Sequence, residues 1–493
     1  MTSLFPLTHS YRPAAAGIFA ARQLKTSELG IGFIAEVALC ILPGLVFVRM
    51  GALMTGVKIY FLVFLLLLGW HLLTANFTRY FGLIVATIPV LMPLRKLFLF
   101  NTLLAVVAVG LVGWAIVSPR IIPDIMRNRI LLLLIVLTTS YWWISFLCTG
   151  VYFTNLRIMD LTITACVICL LSEEPQVLGA ALTGLALSTI LIAFALGPYG
   201  DRLGIARLGN FQIGNPIEMG LESGLIVLLS VAEGGRWIYT GGVKWIRITI
   251  WCGSLLCLLL STSRGSWLTV SCALMVLYLS VRKERKRIVQ YLVLIGIVAF
   301  ILISSGHGVT VVKFFNKATS SDRTLSQKTT LRSDQWFTAG KILEVSPVIG
   351  AGPGQGYHAN VEYGGQHFIF HSLYLQFAAE TGVVGLTLLF IFLARVLGET
   401  RRHLAAAGEV VPLLGAVSFM AIGLSVSGFD PLSGIYLGLA LLAGRRQRVH
   451  ATGYAETHAY SGRYRFTPPP KPFIPSKPFI PAELPGRSSG ANL

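Results

Sequence analysis

The sequence predicts an all-α integral membrane protein that crosses the bilayer about 12 to 14 times. Hydrophobic residues make up 54% of its 493 residues, charged residues make up only 12%, and the mean hydropathy is +0.72. A soluble globule needs more polar surface than this composition supplies. Apolar stretches close to the ~20 residues that a bilayer-spanning helix needs also recur along the chain.

The first apolar run follows a basic amphiphilic segment and is not followed by a small-residue cleavage site, which is typical of a retained signal anchor. We therefore expect a cytoplasmic N-terminal segment at 1–30, N-terminal transmembrane helices at 31–197 and C-terminal transmembrane helices at 395–443. The apolar runs near residues 80 and 430 are short, so a re-entrant hairpin is the alternative there.

Membrane topology explains the net charge of +19, which comes from 40 Lys and Arg against 21 Asp and Glu. Cytoplasmic loops are enriched in Lys and Arg, and alternating crossings from an inside N-terminus place most basic clusters on that side. Arg95 and Lys96 would face outward. Nucleic-acid binding is not needed to explain the charge. The clusters predicted to be cytoplasmic are Arg120, Arg127 and Arg129; Arg236 and Lys244; Arg282, Lys283, Arg285, Lys286 and Arg287; Arg395, Arg401 and Arg402; and Arg445, Arg446 and Arg448.

The cysteines and the carboxylates argue against a metal or a cofactor. All seven cysteines fall in apolar runs, where a small buried hydrophobic role is more typical than a disulfide framework or a zinc site. No Asp-x-Asp pair occurs in the chain. We therefore expect neither a structural metal nor a transferase that holds a nucleotide diphosphate through a divalent ion.

The C-terminal residues 444–493 change in composition and carry the near-repeat Lys471–Pro475 and Lys477–Pro481. Such a pattern predicts a disordered, Pro-rich cytoplasmic tail. Its role is either that of a tether or that of a docking peptide for an envelope-assembly protein.

Three segments predicted to lie outside carry the chemically informative residues. In the first, at about 198–216, glycines allow close backbone approach beside Arg202, Arg207 and Asn215. The guanidinium fork matches phosphate oxygens bidentately, which indicates an anionic ligand. Snorkelling of either arginine to lipid headgroups is the alternative.

The second segment is the short break Ser261–Ser266 between two apolar runs, which holds Arg264 at the membrane boundary. A charged side chain costs at least about 2.5 kcal/mol at the centre of a membrane helix, so it indicates a functional site. The alternative is a structural ion pair with Glu218 or Glu222.

The third segment, at about 306–370, predicts a short surface helix from Arg332 and then a Gly-rich turn over 347–356. The glycines lack the spacing and the following Lys-Ser/Thr of a nucleotide-binding loop, so a lid over a membrane-facing cavity fits better. Beyond it, His371, Tyr374 and Leu375 have the spacing of one helical face. A neutral imidazole there would accept a proton from a hydroxyl, or it would serve as a hydrogen-bonded interface residue.

In their order along the chain, these motifs resemble the O-antigen ligase and polymerase superfamily of bacterial membrane enzymes over about residues 200–390. The motifs that carry the resemblance are Arg207–Pro216, Ser263-Arg264-Gly265, Arg332–Trp336, Gly350–Gly354, His371-Ser372 and Ala379–Gly382.

The resemblance implies a metal-independent, inverting glycosyltransferase with a GT-C-like fold in the bacterial inner membrane. Its catalytic region would be 198–394, and the loop at about 306–370 would be periplasmic. By the resemblance, Arg207 and Arg264 bind the pyrophosphate of an undecaprenyl-pyrophosphate-linked glycan, and His371 lies beside the acceptor, which is lipid A-core or a glycan. The residues expected to bind substrate are Arg202, Asn215, Arg332, Tyr374 and Glu380.

A ligase acting on lipid A-core is favoured, and a polymerase of O-antigen or exopolysaccharide is the alternative within the family. The modest outer loop makes protein O-glycosylation less attractive. From a different class, a glycan exporter or a secondary transporter would also have many helices. Such proteins more often show internal repeats and ionisable groups near the bilayer midplane. A structural scaffold would leave the three outward clusters unexplained.

Overall fold

The computed structural model describes residues 27–50, 53–94, 102–118, 128–149, 153–196, 198–200, 206–208, 216–239, 244–304, 332–364, 369–426 and 430–444. All of them belong to the first of two compact units, Met1–Gln447. The second unit, Arg448–Leu493, holds most of the predicted Pro-rich tail and lies outside the described residues.

The described residues are almost entirely helical, which confirms the predicted fold class. Two short 3₁₀ turns, Ala232–Gly234 and Arg282–Glu284, link longer helices. The helices are α1 Ser27–Arg49, α2 Leu53–Leu73, α3 Phe77–Leu94, α4 Thr102–Val117, α5 Arg129–Thr149, α6 Phe153–Leu171, α7 Pro175–Leu196, α8 Pro216–Val231, α9 Lys244–Ser261, α10 Arg264–Ser280, α11 Arg285–Ser304, α12 Arg332–Val345, α13 Gly356–Gly364, α14 Leu373–Ala407, α15 Val411–Gly423 and α16 Pro431–Gly444.

One small β-hairpin departs from the all-helical expectation. Strands β1 Pro198–Gly200 and β2 Ala206–Leu208 pair antiparallel, with Tyr199 opposite Arg207. The hairpin lies in the first of the three predicted outer segments, and β2 packs against α8 and α9. Two three-residue strands leave no period-2 pattern long enough to detect in the sequence.

Five described helices are long and apolar enough to cross a membrane, or six if the bent pair Arg264–Ser280 and Arg282–Ile301 is one span. The molecule is therefore a polytopic membrane protein. Most other predicted spans fall on shorter apolar helices, including those near residues 80 and 430, so the number of 12 to 14 stays a prediction. The five helices that are long and apolar enough to cross a membrane are Thr55–Leu73, Arg129–Leu147, Pro175–Ala193, Lys244–Ser261 and Leu373–Ala407.

In the N-terminal half, α3 packs on α7, and α1 packs on α2 and α7. Small residues allow this close approach, as is usual between membrane helices: a Cβ on Gly184 would lie 2.7 Å from the Cβ of Ala86. One partly buried carboxylate in this half has two partners, because Arg79 donates to Glu36 at 2.8 Å and the His71 ring lies 3.1 Å from the other oxygen of Glu36.

In the C-terminal half, α8 packs against α9 and α10, and α15 packs against α10 and α14. Helix α16 is buried along its length, with Tyr436 donating to the Leu221 carbonyl of α8 at 2.7 Å. Helices α12 and α13 pack on each other and on α14. This arrangement collects the predicted motifs at the ends of α10, α12, α14 and α15.

Candidate active site

The break between α9 and α10 is a tight and strained turn. Thr262 has φ +48°, a left-handed conformation that a β-branched residue rarely adopts and that costs about 1–3 kcal/mol. Ser263 caps α10, since its Oγ accepts from the Ser266 amide at 3.4 Å and from the Ser266 hydroxyl at 2.9 Å. The predicted tight turn is thus confirmed, and Arg264 is the first residue of α10.

Helix α8 holds this turn from one side. A Cβ on Gly220 would lie 2.6 Å from the hydroxyl oxygens of both Ser261 and Ser266, so only glycine permits the approach. The Ile217 carbonyl of α8 lies 3.3 Å from the Ser266 hydroxyl and is a second acceptor for its one proton. The packing of α8 against α9 and α10 therefore fixes the backbone that carries Arg264, which favours precise placement of its side chain.

Arg264 and Arg332 lie close enough to influence each other electrostatically. Arg332 begins α12, as predicted, and its side chain is partly buried. Burial lowers the pKa of Arg332, and the positive charge of Arg264 lowers it further. Like charges in a partly buried place repel each other, and each also loses hydration. A bound polyanion would offset both of these unfavourable free energies.

Gln335 connects α12 to His371. Its Oε1 accepts from the His371 amide at 2.8 Å, and its side chain is only 1% exposed. Within the part of the chain that the structure describes, Gln335 Nε2 has no hydrogen-bond partner. No sequence pattern marks this residue as functional, because a glutamine inside a polar helix is ordinary. It lies one helical turn after Arg332, so the same helix orders Arg332 and the backbone of His371.

The spacing predicts that His371 shares a helical face with Tyr374 and Leu375. The structure shows that it does not. Helix α14 begins only at Leu373, and His371 precedes it in a bend, with its side chain exposed. Ser372 caps the helix through the Leu375 amide at 3.5 Å, which stops the helix from extending backward. The imidazole is consequently accessible to a substrate beside the end of α14.

The end of α15 joins the Arg264 turn to the start of α14. A Cβ on Gly265 would lie 2.9 Å from the Cβ of Ser425, directly after α15. On the other side, the Ser372 hydroxyl donates to the Gly423 carbonyl at 3.0 Å and the Leu373 amide donates to the Val426 carbonyl at 3.0 Å. One continuous set of contacts thus joins the backbone segments that carry Arg264, Arg332 and His371.

The Gly-rich turn and the motif around Glu380 form one structure. Helix α14 is interrupted at Gly382, with φ +60° and ψ −157°, which frees backbone groups on both sides. The Ala351 and Gly352 amides donate to the Ala379 and Glu380 carbonyls at 2.8 and 2.9 Å. The Val383 amide donates to the Pro347 carbonyl at 2.9 Å. We call this pairing of 347–352 with 379–384 the clamp.

Glu380 fastens the clamp with its side chain. It is 1% exposed and accepts from the amides of Gly354 and Gly356, at 3.2 and 3.0 Å. It also accepts from Gln376 at 3.1 Å and from the hydroxyl of Tyr141 on α5. These bonds occupy both carboxylate oxygens within the protein and hold the clamp in place. A contact of Glu380 with substrate stays a prediction.

The other expected substrate-binding residues differ in what the structure says of them. The Tyr374 hydroxyl donates to the Met420 carbonyl at 2.9 Å, which ties α14 to α15. Arg207 lies in β2, where only its backbone is described. Arg202 and Asn215 lie outside the described residues. Their roles in binding stay predictions.

A structural ion pair of Arg264 with Glu218 or Glu222 stays the alternative to a functional role. Glu222 accepts from the Thr189 hydroxyl of α7 at 3.1 Å. Among the described residues, no three His, Cys, Asp or Glu side chains come together as a metal site. Independence from metal stays a prediction.

These groups together suit a polyanionic substrate and a hydroxyl nucleophile. Two guanidinium groups provide bidentate donors for phosphate oxygens, and an exposed imidazole provides a proton acceptor.

A comparison with protein families gives a match in the C-terminal half. Residues 248–390 match the family model described as O-antigen ligase. The match includes α10, α12, α13 and the clamp, and it leaves 1–247 and 391–493 outside. No curated protein matches the chain.

Proposed function

We propose, on the premise that this chain belongs to the O-antigen ligase superfamily through residues 248–390, that it transfers a polysaccharide from undecaprenyl pyrophosphate to an acceptor at the periplasmic face of the inner membrane. The favoured acceptor is lipid A-core. The observation that carries the proposal is the set of contacts that joins the Arg264 turn, through the end of α15, to the segment that bears His371 and to the helix that begins at Arg332.

In the proposed reaction, an acceptor hydroxyl attacks the anomeric carbon of the glycan on the face opposite to the pyrophosphate. A new glycosidic C–O bond forms, the bond from the anomeric carbon to the pyrophosphate oxygen breaks, and the configuration inverts. The hydroxyl proton passes to the His371 imidazole, and the electron pair of the broken bond stays on the pyrophosphate. The pyrophosphate is a good leaving group before any catalysis.

Arg264 and Arg332 stabilise the charge that develops on the departing pyrophosphate. Preorganised donors in a water-poor site typically contribute ~2.7–4 kcal/mol each to such a step. Arg207 joins them as a third donor in this proposal. No divalent ion is needed, because the guanidinium groups neutralise the phosphate charge and donate hydrogen bonds to its oxygens.

A polymerase of O-antigen or exopolysaccharide would use the same donor site with a glycan acceptor. A deletion strain separates the two, by comparison of the glycan linked to lipid A with the glycan linked to undecaprenyl, on gels and blots. We expect long glycan stranded on undecaprenyl, which wild-type protein returns to lipid A and Arg264→Ala does not. Single repeat units, with no long chains on either lipid, would instead identify a polymerase of O-antigen. Unchanged profiles would refute both the ligase and the O-antigen polymerase and point to exopolysaccharide synthesis or transport.

A further inference from the structure

Helix α12 exposes two large aromatic side chains although polar side chains lie on its buried face. Its protein-facing side buries Gln335 and Thr338 together with the apolar Ala339 and Ile342. Its outward side includes Trp336, which is 63% exposed, and Phe337, which is 72% exposed. A helix that faces water would bury the aromatic residues and expose the polar ones. Two adjacent exposed aromatic side chains on a short helix indicate a surface that something apolar covers.

The apolar surface continues past the end of α12. Val345, Val348 and Ile349 are all more than half exposed. Through the clamp, the Val384 amide donates to the Val348 carbonyl at 3.3 Å, so this surface adjoins exposed Val383 and Val384. Those two valines lie in Leu373–Ala407, one of the candidate membrane spans.

We propose that α12 and the turn at 346–349 lie in the bilayer interface, with Trp336, Phe337, Val348 and Ile349 inserted among the lipid acyl chains. The occupant of this surface is bilayer lipid because its apolar residues at 345–349 adjoin the exposed valines of a candidate membrane-spanning helix. Tryptophan is favoured at such interfaces, where its ring is partly apolar and partly polar. This surface is called the α12 membrane face below.

The charges on α12 limit the depth of insertion. Lys341 and Glu344 are exposed, and the Lys341 ammonium donates back to the Tyr363 carbonyl of α13 at 3.4 Å. Charged side chains stay at headgroup level, so α12 lies in the plane of the membrane and does not cross it. Arg332, at the start of the same helix, is thereby held at the level of lipid phosphates, whether or not the proposed transfer reaction is correct.

Spin-label accessibility tests the α12 membrane face directly. The full-length protein is reconstituted into phosphatidylcholine–phosphatidylglycerol vesicles with a nitroxide on Phe337→Cys or Ile349→Cys, and the signal of identically treated wild-type protein is subtracted. We expect higher accessibility to oxygen than to a water-soluble nickel chelate at both positions. Glu362→Cys, at an exposed residue of α13, is the matched control and should favour the nickel chelate. Nickel accessibility at Phe337→Cys equal to that control would overturn the proposal.

Tryptophan quenching provides a second readout that needs no label. Brominated acyl chains should quench part of the fluorescence of the wild-type protein, and Trp336→Phe should remove a quenchable component. A Trp336→Phe protein that loses only unquenchable fluorescence would contradict insertion. Trp336→Phe, Phe337→Cys and Ile349→Cys all change exposed side chains, so we expect each detergent-solubilised variant to keep the melting temperature of the wild type.

Discussion

Arg264 is held by a strained turn with a capped helix, and its charge acts on Arg332. We predict that Arg264→Lys lowers the transfer rate roughly 10- to 150-fold, because an ammonium keeps the charge but loses the bidentate fork, which is worth ~1.5–3 kcal/mol. The measurement is the transfer rate with membrane levels matched by immunoblot. Arg282→Lys, at an exposed residue of the 3₁₀ turn that follows α10, should leave the rate unchanged. A fully active Arg264→Lys would show that charge alone is sufficient.

His371 is exposed in front of α14, where its backbone is fixed by Gln335. We predict that His371→Ala lowers the maximal rate by about 10²–10⁴-fold if the imidazole is the general base. The pH–rate profile is the deciding measurement, because a lost base removes the acidic limb of the profile. His358→Ala, at another exposed histidine, should keep that limb. A small loss with an unchanged profile would reduce His371 to positioning the acceptor.

At the level of structural elements, the clamp depends on glycine at the helix break. A Cβ on Gly382 would lie 2.7 Å from the Ile349 amide, in a conformation that side chains rarely adopt. We predict that Gly382→Ala lowers the free energy of unfolding by about 1–3 kcal/mol from backbone conformation alone. Thermal unfolding in detergent measures the change.

Gly340→Ala on α12 is the matched control for that substitution. Nothing lies within 4 Å of a Cβ at Gly340, and the residue is inside a helix. Alanine should therefore stabilise the protein, by ~0.5–1 kcal/mol at most. Equal melting temperatures for Gly382→Ala and the wild type would mean that the clamp does not form.

Glu380 acts on the clamp from inside. We predict that Glu380→Gln lowers the melting temperature, because an amide nitrogen would face a donor such as the Gly354 or Gly356 amide, and an unsatisfied buried donor costs ~1–3 kcal/mol. Glu344→Gln, at an exposed residue of α12, should have no such effect. A normal melting temperature with a raised KM for the donor would support the interpretation of Glu380 as a substrate ligand.

Sequence patterns predicted the elements of the site better than their contacts. The helix from Arg332, the turn before Arg264 and the Gly-rich turn are all present, since capping residues and glycines act locally. The clamp was beyond prediction because its bonds join backbone groups about thirty residues apart, which no side-chain pattern marks. The spacing of His371, Tyr374 and Leu375 predicts a start of α14 that is too early, because Ser372 caps the helix and α14 begins at Leu373.

On the scale of the whole molecule, composition and the recurring apolar stretches were together sufficient to predict an all-α membrane protein. The number of crossings could not be predicted in this way, since several buried apolar helices such as α16 are shorter than a bilayer-spanning helix. Such helices are apolar because the protein interior surrounds them, and hydropathy does not distinguish that interior from lipid.

The most direct test of the proposed transfer uses purified protein in vesicles with an undecaprenyl-pyrophosphate-linked glycan, a lipid A-core acceptor and EDTA. We predict that the glycan moves covalently to the acceptor with EDTA present, that Arg264→Ala and Arg332→Ala abolish transfer, and that Arg282→Ala does not. Loss of activity with EDTA that a divalent ion restores would contradict the metal-free mechanism. Movement of the labelled glycolipid across the membrane without chemical change would contradict the transferase itself and identify a transporter.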